Sequence, residues 1–302
     1  ITSVSVVVIL LLVGMFSALI KLCGLSGGFV WIANAVGMKG GIFVAFTFLA
    51  ACIVSTATGS SIGTMFIAFP IFYPAGIMLG ANEMMMAGSI VSGAIFGDNL
   101  APISDTTIAA TRSQHCEMRD KFRVNFMIAL PAAILTIVVL LLVGRPETVT
   151  AVGDLSYSFI KVIPYLLVLI LALVGMNVFL VLTIGIFAAG IVGIATGSMD
   201  LAGFAQAIYN GFCGMNEVFF LTLLCGGLSE LITKNGGIEW IIQKLHNVMK
   251  GNKSAQVGIA AMVSLCDCAT ANNTVAIIVA GDMARQVSHE YKVDPRRTAS
   301  LL

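Results

Sequence analysis

Gly97-Asp98-Asn99-Leu100-Ala101-Pro102-Ile103-Ser104-Asp105-Thr106-Thr107 sets two carboxylates, a proline and three hydroxyls between apolar segments that read as membrane-spanning. A carboxylate at the centre of a bilayer costs at least ~2.5 kcal/mol, and Pro102 removes a backbone donor that lipid cannot replace. The protein itself must solvate such groups. The physical solution is a helix broken at membrane depth, whose freed carbonyls and side chains line a polar cavity for an ion or small solute.

Outward from this stretch, the composition is that of a helical membrane protein. The 302 residues are 58% hydrophobic and 10% charged, against about 25% charged in soluble domains, and the mean hydropathy is +1.00. Sixteen Lys and Arg against fifteen Asp and Glu leave a net charge of +1, so there is no basic excess to attract nucleic acid. The seven cysteines lie mostly inside apolar runs, where a free thiol behaves as a small hydrophobe. Cys266 and Cys268 are one residue apart, unlike a C-x-x-C metal or redox spacing. No cofactor is expected. The chain opens on Ile1, shows no cleavable signal peptide and reads as an internal fragment.

A faint internal repeat runs through it. Leu22-Cys23-Gly24-Leu25-Ser26-Gly27-Gly28-Phe29-Val30-Trp31-Ile32 is echoed 209 positions later by Leu231-Ile232-Thr233-Lys234-Asn235-Gly236-Gly237-Ile238-Glu239-Trp240-Ile241. After each come a basic or Gly-rich turn, an apolar run and a small-polar break, Ser55 to Ser61 in the first half and Asp267 to Thr274 in the second. Repeats of this kind are a mark of transporter folds.

Lys and Arg supply the orientation, because short cytoplasmic loops are enriched in them. The basic loops are Arg112 to Arg123, Lys234 to Lys253 and Arg285 to Arg297, whereas the first-half turns Gly24 to Gly40 and Phe72 to Glu83 hold only Lys39. Equivalent loops of the two halves thus face opposite sides, as an inverted repeat requires. Residues 41–71 then start and finish on the outer side as a re-entrant hairpin, and 254–284 form its mirror image from the cytoplasm. The spans are Val4 to Leu22, a broken helix over 84–111 with a short first arm Met84 to Gly97, Phe126 to Val143, Tyr157 to Val174, Val178 to Thr196 and Phe212 to Ile232. The expected architecture is an all-α polytopic membrane protein with inverted repeats, re-entrant hairpins and broken transmembrane helices. Residues 1–143 form the first repeat, 144–211 a linker with connecting helices, and 212–302 a truncated second repeat whose partner for 84–143 would follow Leu302.

Three polar segments should meet at membrane depth: the tip Thr56 to Ser61, with Thr58, Ser60 and Ser61; the break Asp98 to Thr107, with Asp98, Asn99, Ser104, Asp105, Thr106 and Thr107; and the tip Asp267 to Thr274, with Asp267, Thr270, Asn272 and Asn273. These are hard oxygen donors, suited to Na⁺, Mg²⁺ or a proton. Burial raises the pKa of a carboxyl group and a bound cation lowers it, so one carboxylate holding either a cation or a proton enforces exchange. Asp105 and Asp267 lead as the Na⁺ ligands, followed by Asp98. Glu217 reads either as a gate residue or as a solvated helix start. An enzyme reading rests on Gly59-Ser60-Ser61-Ile62-Gly63, which satisfies the G-x-S-x-G pattern of a serine nucleophile. It finds no base, since His115, His246 and His289 fall in the basic loops. An intramembrane serine protease is therefore the remote alternative.

Ser92-Gly93-Ala94-Ile95-Phe96 leading into Gly97 to Thr107 closely resembles the signature of the NhaC-type sodium/proton antiporter family, and Thr58-Gly59-Ser60-Ser61-Ile62-Gly63-Thr64 resembles its upstream small-polar motif. The resemblance implies a multi-pass secondary transporter of the inner (cytoplasmic) membrane that exchanges Na⁺ for H⁺. Residue by residue it points to Asp98, Ser104, Asp105, Thr106 and Thr107, with Thr58, Ser60 and Ser61. Some relatives exchange carboxylates together with Na⁺ and H⁺, so a malate/lactate-type exchanger is the alternative. An anion would want a cation beside it, and no Arg falls at membrane depth, which favours the simple cation exchanger. Na⁺, H⁺ and the lipid bilayer are the expected partners; a homodimer is left open.

Overall fold

A computed structural model describes residues 2–23, 40–143, 159–246, 249–270 and 272–302, with positions 30, 31, 33 and 36–38. The linker Gly144 to Ser156, most of the Leu22 to Ile32 repeat segment, Lys39 and Ala271 lie outside the described residues. Among the described residues every regular element is helical. In chain order they are α1 (Thr2–Leu22), α2 (Gly41–Thr58), α3 (Ser61–Met78), α4 (Glu83–Leu100), α5 (Asp105–Ser113), α6 (Met118–Val143), a 3-10 turn (Phe159–Val162), α7 (Ile163–Leu173), α8 (Val178–Ala195), α9 (Leu201–Cys213), α10 (Asn216–Lys234), α11 (Gly237–His246), α12 (Asn252–Thr270), α13 (Asn273–Glu290) and α14 (Pro295–Leu301).

Length and composition suit four of these to crossing a membrane, α2, α3, α6 and α8. The plainest case is α6, where a window of mean hydropathy 2.9 is only 11% buried by the rest of the chain. Leu135 and Leu142 stand 65% and 61% exposed on it. Such a surface is stable in hydrocarbon and not in water. Shorter apolar helices cover Val7–Leu22 and Ile160–Leu173.

The chain forms two compact units, Ile1–Ala101 with Pro131–Phe220, and Pro102–Leu130 with Leu221–Leu302. In the first, α2 and α3 make an antiparallel hairpin, with Phe46 and Phe72 ring to ring at 6.3 Å near its open end. Helix α4 lies along α2 and runs in the same direction, Gly93 against Phe48 and Gly97 against Cys52. A Cβ on Gly97 would stand 2.6 Å from Ser55 Cβ and 2.9 Å from Thr56 N, so only glycine permits this approach. The core beneath holds Phe16, Phe43, Phe72, Ile90, Tyr165 and Leu182, all fully buried.

The second unit is built on a second antiparallel hairpin, α12 and α13, whose open end is tied by the Asn252 side chain donating to the carbonyls of Tyr291 at 3.0 Å and Lys292 at 2.9 Å. Its core gathers Ile259, Met262, Cys266, Ile277, Ala280 and Val287 with Ala110 of α5. The C-terminal end of α5 is tied to α13: Gln114 donates to the Gly281 carbonyl at 2.9 Å, and His115 meets Arg285.

Several boundaries differ from the sequence expectation. The first hairpin extends to Met78, with arms of 18 residues, each long enough to span by itself. The first arm of the broken helix runs Glu83–Leu100, and the break is confined to Ala101–Ser104. Most of the basic segment Arg285 to Arg297 is helical, belonging to α13 and α14, and His289 lies inside α13. The expected span Phe212 to Ile232 is interrupted, α9 ending at Cys213 and α10 starting at Asn216. Around Arg285 to Arg297 helix propagation continued past residues whose charge had marked a loop, because a long polar side chain on an exposed helix face costs little. The second hairpin is not among the helices apolar enough to span.

Candidate functional site

At the tip of the first hairpin, α2 ends on Gly59, whose φ of 65° is left-handed and costs glycine no strain. Ser60 follows in extended conformation and caps α3, its hydroxyl accepting from the Gly63 amide at 3.1 Å. That engagement is the ordinary task of an N-cap serine. Thr58 Oγ1 shares a hydrogen bond of 3.1 Å with Thr64 Oγ1 and lies 3.5 Å from the Ser60 carbonyl. Ser61 opens α3, half-buried.

In the same unit Thr56 donates to the Gly97 carbonyl at 3.3 Å, so the tip of the hairpin adjoins the C-terminal end of α4. Asp98 lies there, 8% exposed, in the last turn of α4. Its Oδ1 is buried and accepts no hydrogen bond in the structure. Asn99, next to it, is exposed.

In the second unit Ser104 caps α5, accepting from the Thr107 amide at 3.5 Å and sharing a 2.8 Å hydrogen bond with Thr106 Oγ1. Asp105 is exposed in the first turn of α5, where a carboxylate meets the positive end of the helix dipole. Thr107 Oγ1 is buried without a hydrogen-bond partner. Ser113, at the opposite end of α5 from Asp105, packs on Gly281 of α13.

The tip of the second hairpin is narrower than the sequence suggested. Helix α12 continues through Thr270, so Asp267 is not on unwound backbone but in the last helical turn. Its Oδ1 is buried and accepts no hydrogen bond. Asn272 caps α13, accepting from the Val275 amide at 3.0 Å, and Thr270 donates to the Asn272 carbonyl at 3.2 Å. Asn273 is the first residue of α13. Asp98 and Asp267 therefore share an unusual placement: each is a carboxylate at a helix C-terminus, where free carbonyls already carry partial negative charge. Two like-signed features adjacent to one another are stabilised by a cation. Among the described residues no cluster of three or more His, Cys, Asp or Glu is positioned to hold a metal ion. Each unit carries, at the tip of its hairpin, a single carboxylate beside helix-end carbonyls and hydroxyls.

Glu217 is exposed in the first turn of α10, and Glu230 pairs with Lys234 at 3.2 Å on the surface of the same helix. Two features escaped sequence reading. Gly93 and Gly97 form the seam between α2 and α4, legible only as a small-residue spacing of four. Gln114 is 3% exposed and locks α5 to α13; no motif marks it.

These features define an all-α polytopic membrane protein in which each unit carries polar helix ends at the tip of an antiparallel hairpin. The Na+/H+ antiporter family model matches residues 2–145 and 148–302, and the chain belongs to that family. It is 31% identical over 205 residues to the Na(+)/H(+) antiporter NhaC of Alkalihalophilus pseudofirmus, covering 63% of this chain and 44% of that protein. It is 30% identical over 206 residues to the Malate-2H(+)/Na(+)-lactate antiporter of Bacillus subtilis, again 63% and 44%. To the Arginine/ornithine antiporter ArcD of Halobacterium salinarum it is 26% identical over 293 residues, 84% of this chain and 59% of that protein. The chain spans less than half the length of the first two relatives. No solved structure matches it. Like its family, it is a multi-pass protein of the cell membrane.

Proposed function

We propose that the chain carries the ion-binding part of a secondary transporter that exchanges Na⁺ for H⁺. The observation that supports this most is the pair of orphaned carboxylate oxygens, Asp98 Oδ1 and Asp267 Oδ1, each buried at a helix C-terminus. A buried acceptor without a donor is costly, and is relieved either by a cation or by a proton. One group cannot hold both. Occupation by Na⁺ in one orientation and by H⁺ in the other then makes exchange obligatory. Thr107 Oγ1, also unpartnered, is a further buried oxygen of the second unit, and Asp105 at the start of α5 serves as the carboxylate that ions meet from solvent.

The second reading, a carboxylate exchanged together with Na⁺ and H⁺, is favoured by one observation: the malate/lactate exchanger of Bacillus subtilis is as similar to this chain as the NhaC relative. The test is ion flux in proteoliposomes of the full-length protein, driven by a pH gradient, with and without malate or lactate. Simple exchange requires Na⁺-dependent proton movement that neither anion alters. Asp98→Asn and Asp267→Asn should each abolish it while the protein remains folded in the membrane. Unchanged flux and apparent Na⁺ affinity in both variants would reject the assignment.

A further inference from the structure

Helix α11 (Gly237–His246) is short, polar on one side and seated by a single described core residue. Ile238 is fully buried in the core of the second unit. Trp240, two positions on and so about 200° around the helix, is 62% exposed. Lys244, one turn later on the same face, holds its Nζ 5.8 Å from the centre of the indole ring. Lys250 and Lys253 follow, both exposed, at the start of α12. A large exposed indole is expensive in water, and a bare cluster of lysines repels itself; an interface rich in anionic headgroups resolves both, because Trp prefers the headgroup level and each lysine near such a surface is attracted to it.

We infer that the Trp240–Lys244 face of α11, with Lys250 and Lys253, is a docking surface for anionic phospholipid of the cytoplasmic leaflet. The charge distribution supplies the side: Lys234 to Lys253 is a basic segment of the kind that stays cytoplasmic. The indole enters the boundary between headgroups and acyl chains while the ammonium groups of Lys244, Lys250 and Lys253 contact lipid phosphates. Lys250 and Lys253 lie at the opposite end of α12 from Asp267, and the inference rests on the membrane setting, not on the identity of the transported ion.

The chain contains two tryptophans, Trp31 and Trp240, so Trp31→Phe leaves one reporter. The full chain is placed in nanodiscs with acyl-chain-brominated phosphatidylglycerol or brominated phosphatidylcholine at equal fractions, and Trp240 fluorescence is measured. Quenching by phosphatidylglycerol should exceed that by phosphatidylcholine. Lys244→Gln, Lys250→Gln and Lys253→Gln should reduce the preference by roughly five-fold per lysine, with phosphatidylcholine quenching retained. Absence of quenching by either lipid places Trp240 away from the bilayer and overturns the inference. Equal quenching by both, unaltered by the lysine variants, overturns it too, since the helix then inserts without recognising headgroups. If Trp31→Phe does not fold, native mass spectrometry of the unmodified protein and of Lys244→Gln replaces it; equal retention of phosphatidylglycerol by the two counts against the surface.

Discussion

Ser60 and Asn272, 212 positions apart, hold nearly the same backbone conformation, φ −146° and ψ 114° at one and φ −154° and ψ 107° at the other. Each caps the second helix of its hairpin, and two residues before each a threonine points at its carbonyl, Thr58 to Ser60 and Thr270 to Asn272. The two caps match in backbone conformation, in the side chain that accepts from the third residue on, and in the threonine contact. The shared cap also makes a matched pair of experiments. Ser60→Ala and Asn272→Ala should each destabilise the local tip by about 1 kcal/mol, read as faster amide hydrogen exchange in the first turns of α3 and α13. A change confined to one tip would mean that the two caps are not equivalent.

The α2–α4 seam gives a steric prediction. Ala at Gly93 or Gly97 would drive a methyl group against the backbone of α2, where a Cβ at Gly93 would stand 2.5 Å from the Phe48 carbonyl oxygen. Each should cost about 1–3 kcal/mol, measured by thermal unfolding in detergent. Gly88, on the same helix, has nothing within 4 Å of the added Cβ. There Ala should be neutral or stabilising by about 0.5–1 kcal/mol, through helix propensity alone. Equal losses at all three sites would dismiss the seam.

Topology is checked by accessibility. Ile42→Cys and Met78→Cys lie at the open end of the first hairpin, and Asn252→Cys and Glu290→Cys at the open end of the second. If the hairpins are inverted relative to one another, a membrane-impermeant maleimide labels the first pair from the outside and the second pair from the inside. Both pairs labelling from one face would make the two hairpins parallel copies.

A titration follows from the turn between α5 and α6. Burial, and after it the neighbouring Asp120 carboxylate, push the Cys116 thiol up from its ordinary range. At pH 8 it is therefore less ionised than a free thiol, and only the thiolate reacts. With the other cysteines replaced, maleimide labelling of Cys116 should rise at higher pH than for a free cysteine. Asp120→Asn, which removes a negative neighbour, should move that rise to lower pH. No movement would remove Asp120 from the causes of the shift.

Much of this was legible in the residues. A run such as Val178 to Thr196 holds no charged residue and no proline, so its helix fell within one residue of the expected bounds. The proline and hydroxyls of Ala101–Ser104 marked the break because Pro102 cannot continue a hydrogen-bond ladder and Ser104 is a ready cap. Asp267 was harder to place. Its neighbours Cys268, Ala269 and Thr270 have no conformational veto, and the sequence cannot tell a helix that stops before the carboxylate from one that ends three residues after it. Gln114 was invisible, because its partner is a backbone carbonyl 167 residues away.

On the proposed reading, the carboxylates at the C-terminal ends of α4 and α12 bear on leak as much as on binding. With nothing bound, each end has negative charge beside negative charge in a partly desolvated place. If the two aspartates bind the ion as proposed, the empty, deprotonated state is the one of highest energy, and a carrier that is seldom vacant would seldom turn over without cargo. Tight stoichiometry in such a protein would need no separate latch; it would follow from how uncomfortable the vacant helix ends are.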